Sequence, residues 1–155
     1  MEYIKISETS TEKSIIKLDL EFRYMKAFEI YDHFVDPELL RRWWVPQVDK
    51  IDFRSGGEYQ FTWTKTQRRI WGKYSDNLIG GKYLEFSWHD TLSPEIMAKS
   101  VKLTLENVFK DDAVCFATLN HRLFTSSSDD QEYRSTILSQ WITLFRQLAN
   151  QWGER

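Results

Sequence analysis

A chain of 155 residues with three histidines and one cysteine offers few starting points for chemistry. His33, His89 and His121 are scattered and show no metal-ligand spacing, so no metal site is expected. Cys115 stands in an apolar run without a neighbouring base, and neither a Gly-x-Ser-x-Gly elbow nor a phosphate-binding glycine loop occurs. A paired-carboxylate hydrolase needs two acids on an interior face, yet strand alternation sends Glu58, Glu85 and Glu106 outward. His121 remains. It shares a strand face with Ala117 and Leu119, where Tyr133 or Gln140 of a later helix would come near it. Two readings fit: a buried histidine hydrogen-bonded to a neighbour, or an orienting or acid-base group in a pocket.

Composition supplies the second lead. Hydrophobic residues make up 41% and charged residues 28%, which is ordinary, but 10 Phe, 7 Tyr and 7 Trp are an excess for this length. Rings bring large apolar area with few rotatable bonds, so they suit a thick core or the walls of an apolar pocket. Tyr59, Phe61 and Trp63 alternate onto one strand face, Trp88 onto another, and Trp141 lies on the apolar stripe of the last helix. These five either line a cavity or fill it. Trp44 is the expected portal residue, with one of Trp43 and Trp44 exposed.

The elements that must position these residues follow from periodicity. Met1 to Lys13 reads as a flexible polar arm, although Tyr3, Ile4 and Ile6 offer a short edge strand; residues 14–155 read as one domain. Ile16, Leu18, Leu20 and Phe22 alternate with charges, predicting a strand with one wet face. Phe28, Tyr31 and Val35 then recur at helical spacing with Phe34 beside them. Asp36-Pro37-Glu38 restarts a second short helix, because Asp caps, Pro suits the first turn and Glu favours the positive end. That helix must stop before Pro46.

Strands follow at intervals too short for crossover helices, so the sheet should be antiparallel. They are expected at Asp49 to Arg54, Tyr59 to Thr64, Arg69 to Leu78, Leu84 to Trp88, Val101 to Glu106 and Ala113 to Phe124, with turns at Ser55-Gly56-Gly57, Gly80-Gly81 and Asp111-Asp112. Arg54 and Glu58 are placed to pair across the first turn. The last strand is apolar on both faces and should be central. A capping box at Ser128 and Gln131 opens a long helix on which Tyr133, Ile137, Trp141, Leu144, Leu148 and Trp152 form one stripe.

Net charge is −2, and the one basic cluster, Lys65 to Arg69, falls at a hairpin tip; no nucleic acid is expected. With no long apolar run and a single cysteine, the chain reads as cytoplasmic, without membrane insertion or a disulfide.

This order of elements resembles the helix-grip fold of the START-like or SRPBCC superfamily: α+β, a curved antiparallel sheet of about seven strands wrapped on a long C-terminal helix, with two short helices after the first strand. Within it the chain is similar to the family named after the heat-shock-protein-90 ATPase activator homologues. Asp36-Pro37-Glu38-Leu39 leading to Trp43-Trp44, Asp52 to Tyr59, Gly72, Leu84 to Trp88, Ala117-Leu119-His121, and Trp141 with Leu144 and Leu148 carry the likeness. Two positions depart from it. Gln140 precedes the helix tryptophan, and Arg122-Leu123 follow the strand histidine, where the family commonly or often has glycine.

The resemblance implies an apolar cavity between sheet and long helix; the patterning then makes Trp44, Tyr59, Phe61, Trp63, Trp88, His121, Tyr133, Gln140 and Trp141 the expected ligand-binding residues, and no cofactor is expected. The function expected is non-enzymatic binding of a small apolar or aromatic ligand. A small cyclase, hydrolase or isomerase using His121 as acid-base group, and a chaperone-associated module using Trp43 or Trp44 and the outer sheet, are the alternatives; a homodimer is left open.

Overall fold

The computed structural model describes residues 3–93, 99–110, 113–123 and 128–153. One eight-stranded antiparallel sheet carries the fold, in the order β1-β2-β8-β7-β6-β5-β4-β3. Its strands are β1 (Ile4–Glu8), β2 (Ile15–Phe22), β3 (Gln47–Ile51), β4 (Glu58–Trp63), β5 (Arg68–Lys73), β6 (Tyr83–Asp90), β7 (Lys99–Lys110) and β8 (Ala113–Arg122). The eighth strand, beyond the seven expected, is β1. It pairs with β2 from Ile4 opposite Phe22 to Glu8 opposite Leu18, so the edge strand offered by Tyr3, Ile4 and Ile6 forms.

The helices are α1 (Ala27–Val35), α2 (Pro37–Leu40) and α3 (Ser128–Gly153). Since β2 lies near one edge and β3 at the other, α1 and α2 carry the chain across the sheet. Asp36 caps α2 as expected, accepting from the Glu38 N–H at 2.9 Å, with Pro37 in the first turn. The face of α1 needs correction. Ile30, Tyr31, His33 and Phe34 are buried, whereas Phe28 is 55% exposed, because the helix packs through its 30/34 edge and not through 28/35.

Strand β8 is central, between β2 and β7, and buries Cys115, Ala117, Leu119 and His121 on its inner face. The glycine turn forms with Gly56 at φ +74°, but Arg54 pairs with Asp52 at 2.9 Å and Glu58 with Lys50 at 3.1 Å in place of the expected Arg54–Glu58 pair. The Asp111-Asp112 turn, Pro94 and the side chain of the capping Ser128 lie outside the described residues.

Helix α3 lies on the inner face through its expected stripe. Tyr133, Ile137, Trp141, Leu144 and Leu148 are buried, joined by Phe145 and Ala149. Trp141 stacks on Phe145 (centroids 5.7 Å), meets Trp88 at 5.8 Å and Trp44 at 6.1 Å, and Phe145 in turn meets Phe22 of β2 and Phe34 of α1. At the far end Trp152 donates to the Tyr24 carbonyl, 3.0 Å. One indole therefore joins α3 to both halves of the sheet and to the α2 corner. Trp141→Ala is expected to cost about 3–5 kcal/mol in urea unfolding; a loss under about 1 kcal/mol would show that Trp141 is not the anchor.

Candidate functional site

Between β4–β6, the α2 corner and α3 lies a space lined by Phe34, Leu40, Trp44, Tyr59, Phe61, Tyr74, Leu84, Phe86, Trp88 and Trp141. The lining follows from alternation on β4 and β6, which turns every second ring inward. Its volume is about 20 Å³, room for about one water. The aromatics fill this interior, and among the described residues it holds no open ligand chamber of the kind the resemblance implies. Ring packing is the reason: Trp44 lies 5.3 Å from Phe61, and Tyr59 lies 5.2 Å from Phe61 and 5.4 Å from Phe86.

Trp43 and Trp44 are both buried, at 4% and 7% exposure, so neither is the surface residue expected. They are held differently. Trp43 donates its indole N–H to the His33 carbonyl at 2.9 Å, whereas the Trp44 N–H has no hydrogen-bond partner among the described residues.

Behind Trp88 the interior turns polar. Asp90, 1% exposed, accepts from Arg68 Nε at 3.0 Å, from the second Arg68 nitrogen at 2.5 Å, from the Tyr133 hydroxyl at 2.6 Å and from the Leu92 N–H at 2.9 Å. Tyr133 in turn accepts the Trp88 indole N–H at 3.0 Å. Burial alone would raise the Asp90 carboxyl; the hydrogen bonds and charge of Arg68, with Tyr133 and the Leu92 amide, more than offset it and hold it below the usual range. Burial, then the Asp90 charge, pushes the Tyr133 phenol upward.

His121 is fully buried, and its Nδ1 accepts the Trp141 indole N–H at 3.0 Å. Indole only donates, so Nδ1 carries the lone pair and a neutral ring has its proton on Nε2. Burial, with Lys99 next, lowers its pKa to about 3, so the ring is neutral at ordinary pH. Nε2–H has no partner among the described residues. In this arrangement the ring's one lone pair, on Nδ1, is occupied by the Trp141 N–H, and Nε2 carries the proton.

The structure thus brings Trp44, Tyr59, Phe61, Trp88 and Trp141 together as cavity wall, and puts His121 and Tyr133 behind that wall. Trp63 and Gln140 sit elsewhere, in an outer hollow of about 210 Å³ with Val45, Ser139, Thr143 and Leu144. Gln140 lines that hollow, and no hydrogen bond joins it to His121 among the described residues. Arg68, expected at an exposed hairpin tip, is instead buried with its guanidinium 4.2 Å over the Trp63 ring. Sequence reasoning missed Asp90 and Arg68. Both continue alternating series one step further, Leu84-Phe86-Trp88-Asp90 and Arg68-Ile70, which is the signal that would have found them.

Cys115 is buried, and its thiol is pushed up to about 11 by burial. His89 stacks on Trp71 of β5 at 5.4 Å on the outer face. Among the described residues no group of three or more His, Cys, Asp or Glu is placed to hold a metal, and no helix is long and apolar enough to cross a membrane.

The model of the activator of Hsp90 ATPase homolog 1-like protein family matches residues 25–150. The chain belongs to that family. No curated protein matches the sequence. Similar solved structures of the same fold include Ms6760 from Mycobacterium smegmatis, with 12% identity, TM-score 0.76 and coverage of 94% of this chain and 96% of that one. CalU16 from Micromonospora echinospora has 17% identity, TM-score 0.66 and coverage of 96% and 85%. The Aha1 dimer from Colwellia psychrerythraea has 15% identity, TM-score 0.71 and coverage of 88% and 93%. The helix-grip architecture of the family is the one described above, and such identities establish fold alone.

The polar end makes two predictions. Arg68→Met removes the counter-charge of a buried carboxylate and should cost about 3–5 kcal/mol in urea unfolding; a value near zero would mean that water reaches Asp90. Between pH 6.5 and about 3 the unfolded chain protonates His121 and the folded chain does not, so stability falls as pH falls, by at most about 1.4 kcal/mol per unit. Comparing the slope from pH 6.5 to 4.5 with that of His121→Gln isolates this contribution. A His121 ring that titrates near 6.5 by NMR would contradict it.

Proposed function

We propose that this domain binds a small apolar or aromatic molecule between the sheet and α3, in a form whose cavity is wider than the one seen here. The supporting observation is the unequal anchoring of the cavity wall. Tyr59 donates to the Ser87 carbonyl at 2.7 Å, Trp88 to Tyr133 and Trp141 to His121, while Trp44 is held by ring contacts. Trp44 also sits between the interior and the outer hollow, since its neighbour Val45 and the helix residue Leu144 line that hollow. Withdrawal of the α2 corner with Trp44 toward the hollow would enlarge the cavity without breaking any of these hydrogen bonds. Ten apolar or aromatic side chains then supply the walls, and the affinity comes mainly from buried apolar area.

The enzymatic reading draws less support, because the one lone pair of a neutral His121 is occupied by the Trp141 N–H. The chaperone-associated reading used Trp43 or Trp44 and the outer sheet as contacts; burial removes both tryptophans and leaves it the outer sheet alone.

Native mass spectrometry of gently purified protein, together with tryptophan fluorescence titrated against one- and two-ring aromatics and fatty acids, tests the proposal. A co-purified mass or saturable binding that Trp44→Ala changes by tenfold or more is expected. No bound mass and no saturable response across the series would overturn it.

A further inference from the structure

The interior has a polarity of its own. Two N–H donors flank the Trp141 indole: Trp44 Nε1–H, whose ring lies 6.1 Å from it, and His121 Nε2–H, whose ring lies 6.2 Å from it on the side of Trp88. Both are buried, and neither has an acceptor among the described residues. The tautomer that leaves His121 a donor is fixed by Trp141, which takes up the other ring nitrogen. A buried donor without an acceptor costs about 1–3 kcal/mol, and here there are two beside one ring.

The buried carboxylate at the polar end is already saturated. Asp90 accepts from both Arg68 nitrogens, Tyr133 and the Leu92 amide. The Tyr59 and Tyr133 hydroxyls spend their protons on Ser87 and Asp90. An ammonium entering this space would therefore meet Arg68 nearby and no open carboxylate.

We infer that the ligand of this interior is an apolar or aromatic molecule bearing a hydrogen-bond acceptor oxygen and no basic nitrogen, with that oxygen taken by the indole N–H of Trp44 in the cavity wall. The inference rests on the binding role proposed above and specifies its ligand class: carbonyl compounds, esters or phenyl ketones are accepted, bare hydrocarbons are weaker, and amines are excluded.

Three probes of nearly equal shape separate these cases: cumene, acetophenone and 1-phenylethylamine, titrated into the full chain labelled with nitrogen-15. Acetophenone is expected to bind about tenfold more tightly than cumene, the gain of one satisfied hydrogen bond. The amine, protonated at pH 7, should not bind. Acetophenone should also move the Trp44 indole N–H resonance downfield, which cumene should not do. Trp44→Phe should bring acetophenone to the affinity of cumene; if that variant does not fold, the resonance shift in the unmodified chain decides. Equal binding of cumene and acetophenone, or binding of the amine, would overturn the inference and leave the binding role standing. Binding of none of the three would overturn the inference, while the binding role is decided separately by the co-purified mass and the two-ring and fatty-acid titrations.

Discussion

Asp90 is a carboxylate almost without solvent, and such a group persists in an interior only if donors converge on it where it stands. Four do, and they come from separated parts of the chain: the first residue of β5, the turn just after β6, and the first turns of α3. Satisfying one charge therefore fixes where three elements meet. Through Tyr133 the same network reaches the Trp88 indole, and Trp88 packs on both His121 and Trp141. The setting of α3 on the sheet, and with it the shape of the aromatic interior, depends on this one buried charge.

From that end the interior grades into rings. Trp141 is shared between the polar and apolar regions, since its indole N–H goes to His121 while its face stacks on Phe145. Edge-to-face and tilted contacts dominate around it, the geometry in which rings pack at close distance without a void. The residual space of about 20 Å³ is the consequence. The space between sheet and α3 is filled, among the described residues, by the protein's own side chains, so any ligand must compete with ring–ring contacts that already satisfy most of the apolar surface.

Much of this was legible in the sequence. Alternation in β2, β6 and β8 placed Ile16 to Phe22, Leu84 to Trp88 and Cys115 to His121 on the inner face, and the 3.6-residue stripe from Tyr133 to Leu148 placed α3, because burial on a sheet or helix leaves a period in the residues. The α2 cap was readable for the same local reason. What was not readable depended on partners far along the chain. Arg68 looks like part of a solvated basic tip until Asp90 is known to stand diagonally across β5–β6. Gln140 looks like an inward neighbour of Trp141 until the helix rotation is known, and Phe28 looks like a core residue until α1 chooses its 30/34 edge. Tertiary packing decides each of these, and it leaves no short-range signal.

The ladder between β5 and β6 shows where the cavity can yield. Only Ile70–Asp90 and Trp71–His89 pair in register, with Tyr74 bridging Phe86 beyond. Between them Gly72 crosses Ser87 so closely that a Cβ would lie 2.0 Å from the Ser87 carbonyl oxygen. Side chains replace the missing rungs there: the Ser87 hydroxyl accepts the Lys73 N–H at 2.9 Å, and the Tyr59 hydroxyl donates to the Ser87 carbonyl. Tyr59 is thus cavity wall and ladder substitute together, and moving it would strand a carbonyl inside the sheet, at a cost of about 1–3 kcal/mol. Displacing Trp88 or Trp141 carries a similar penalty at Tyr133 or His121. Trp44 carries none, and it belongs to a corner built on a four-residue helix. On the proposed binding role the wall would give first at Trp44, whose N–H makes no hydrogen bond to lose among the described residues, while Trp43 beside it stays tied to the His33 carbonyl.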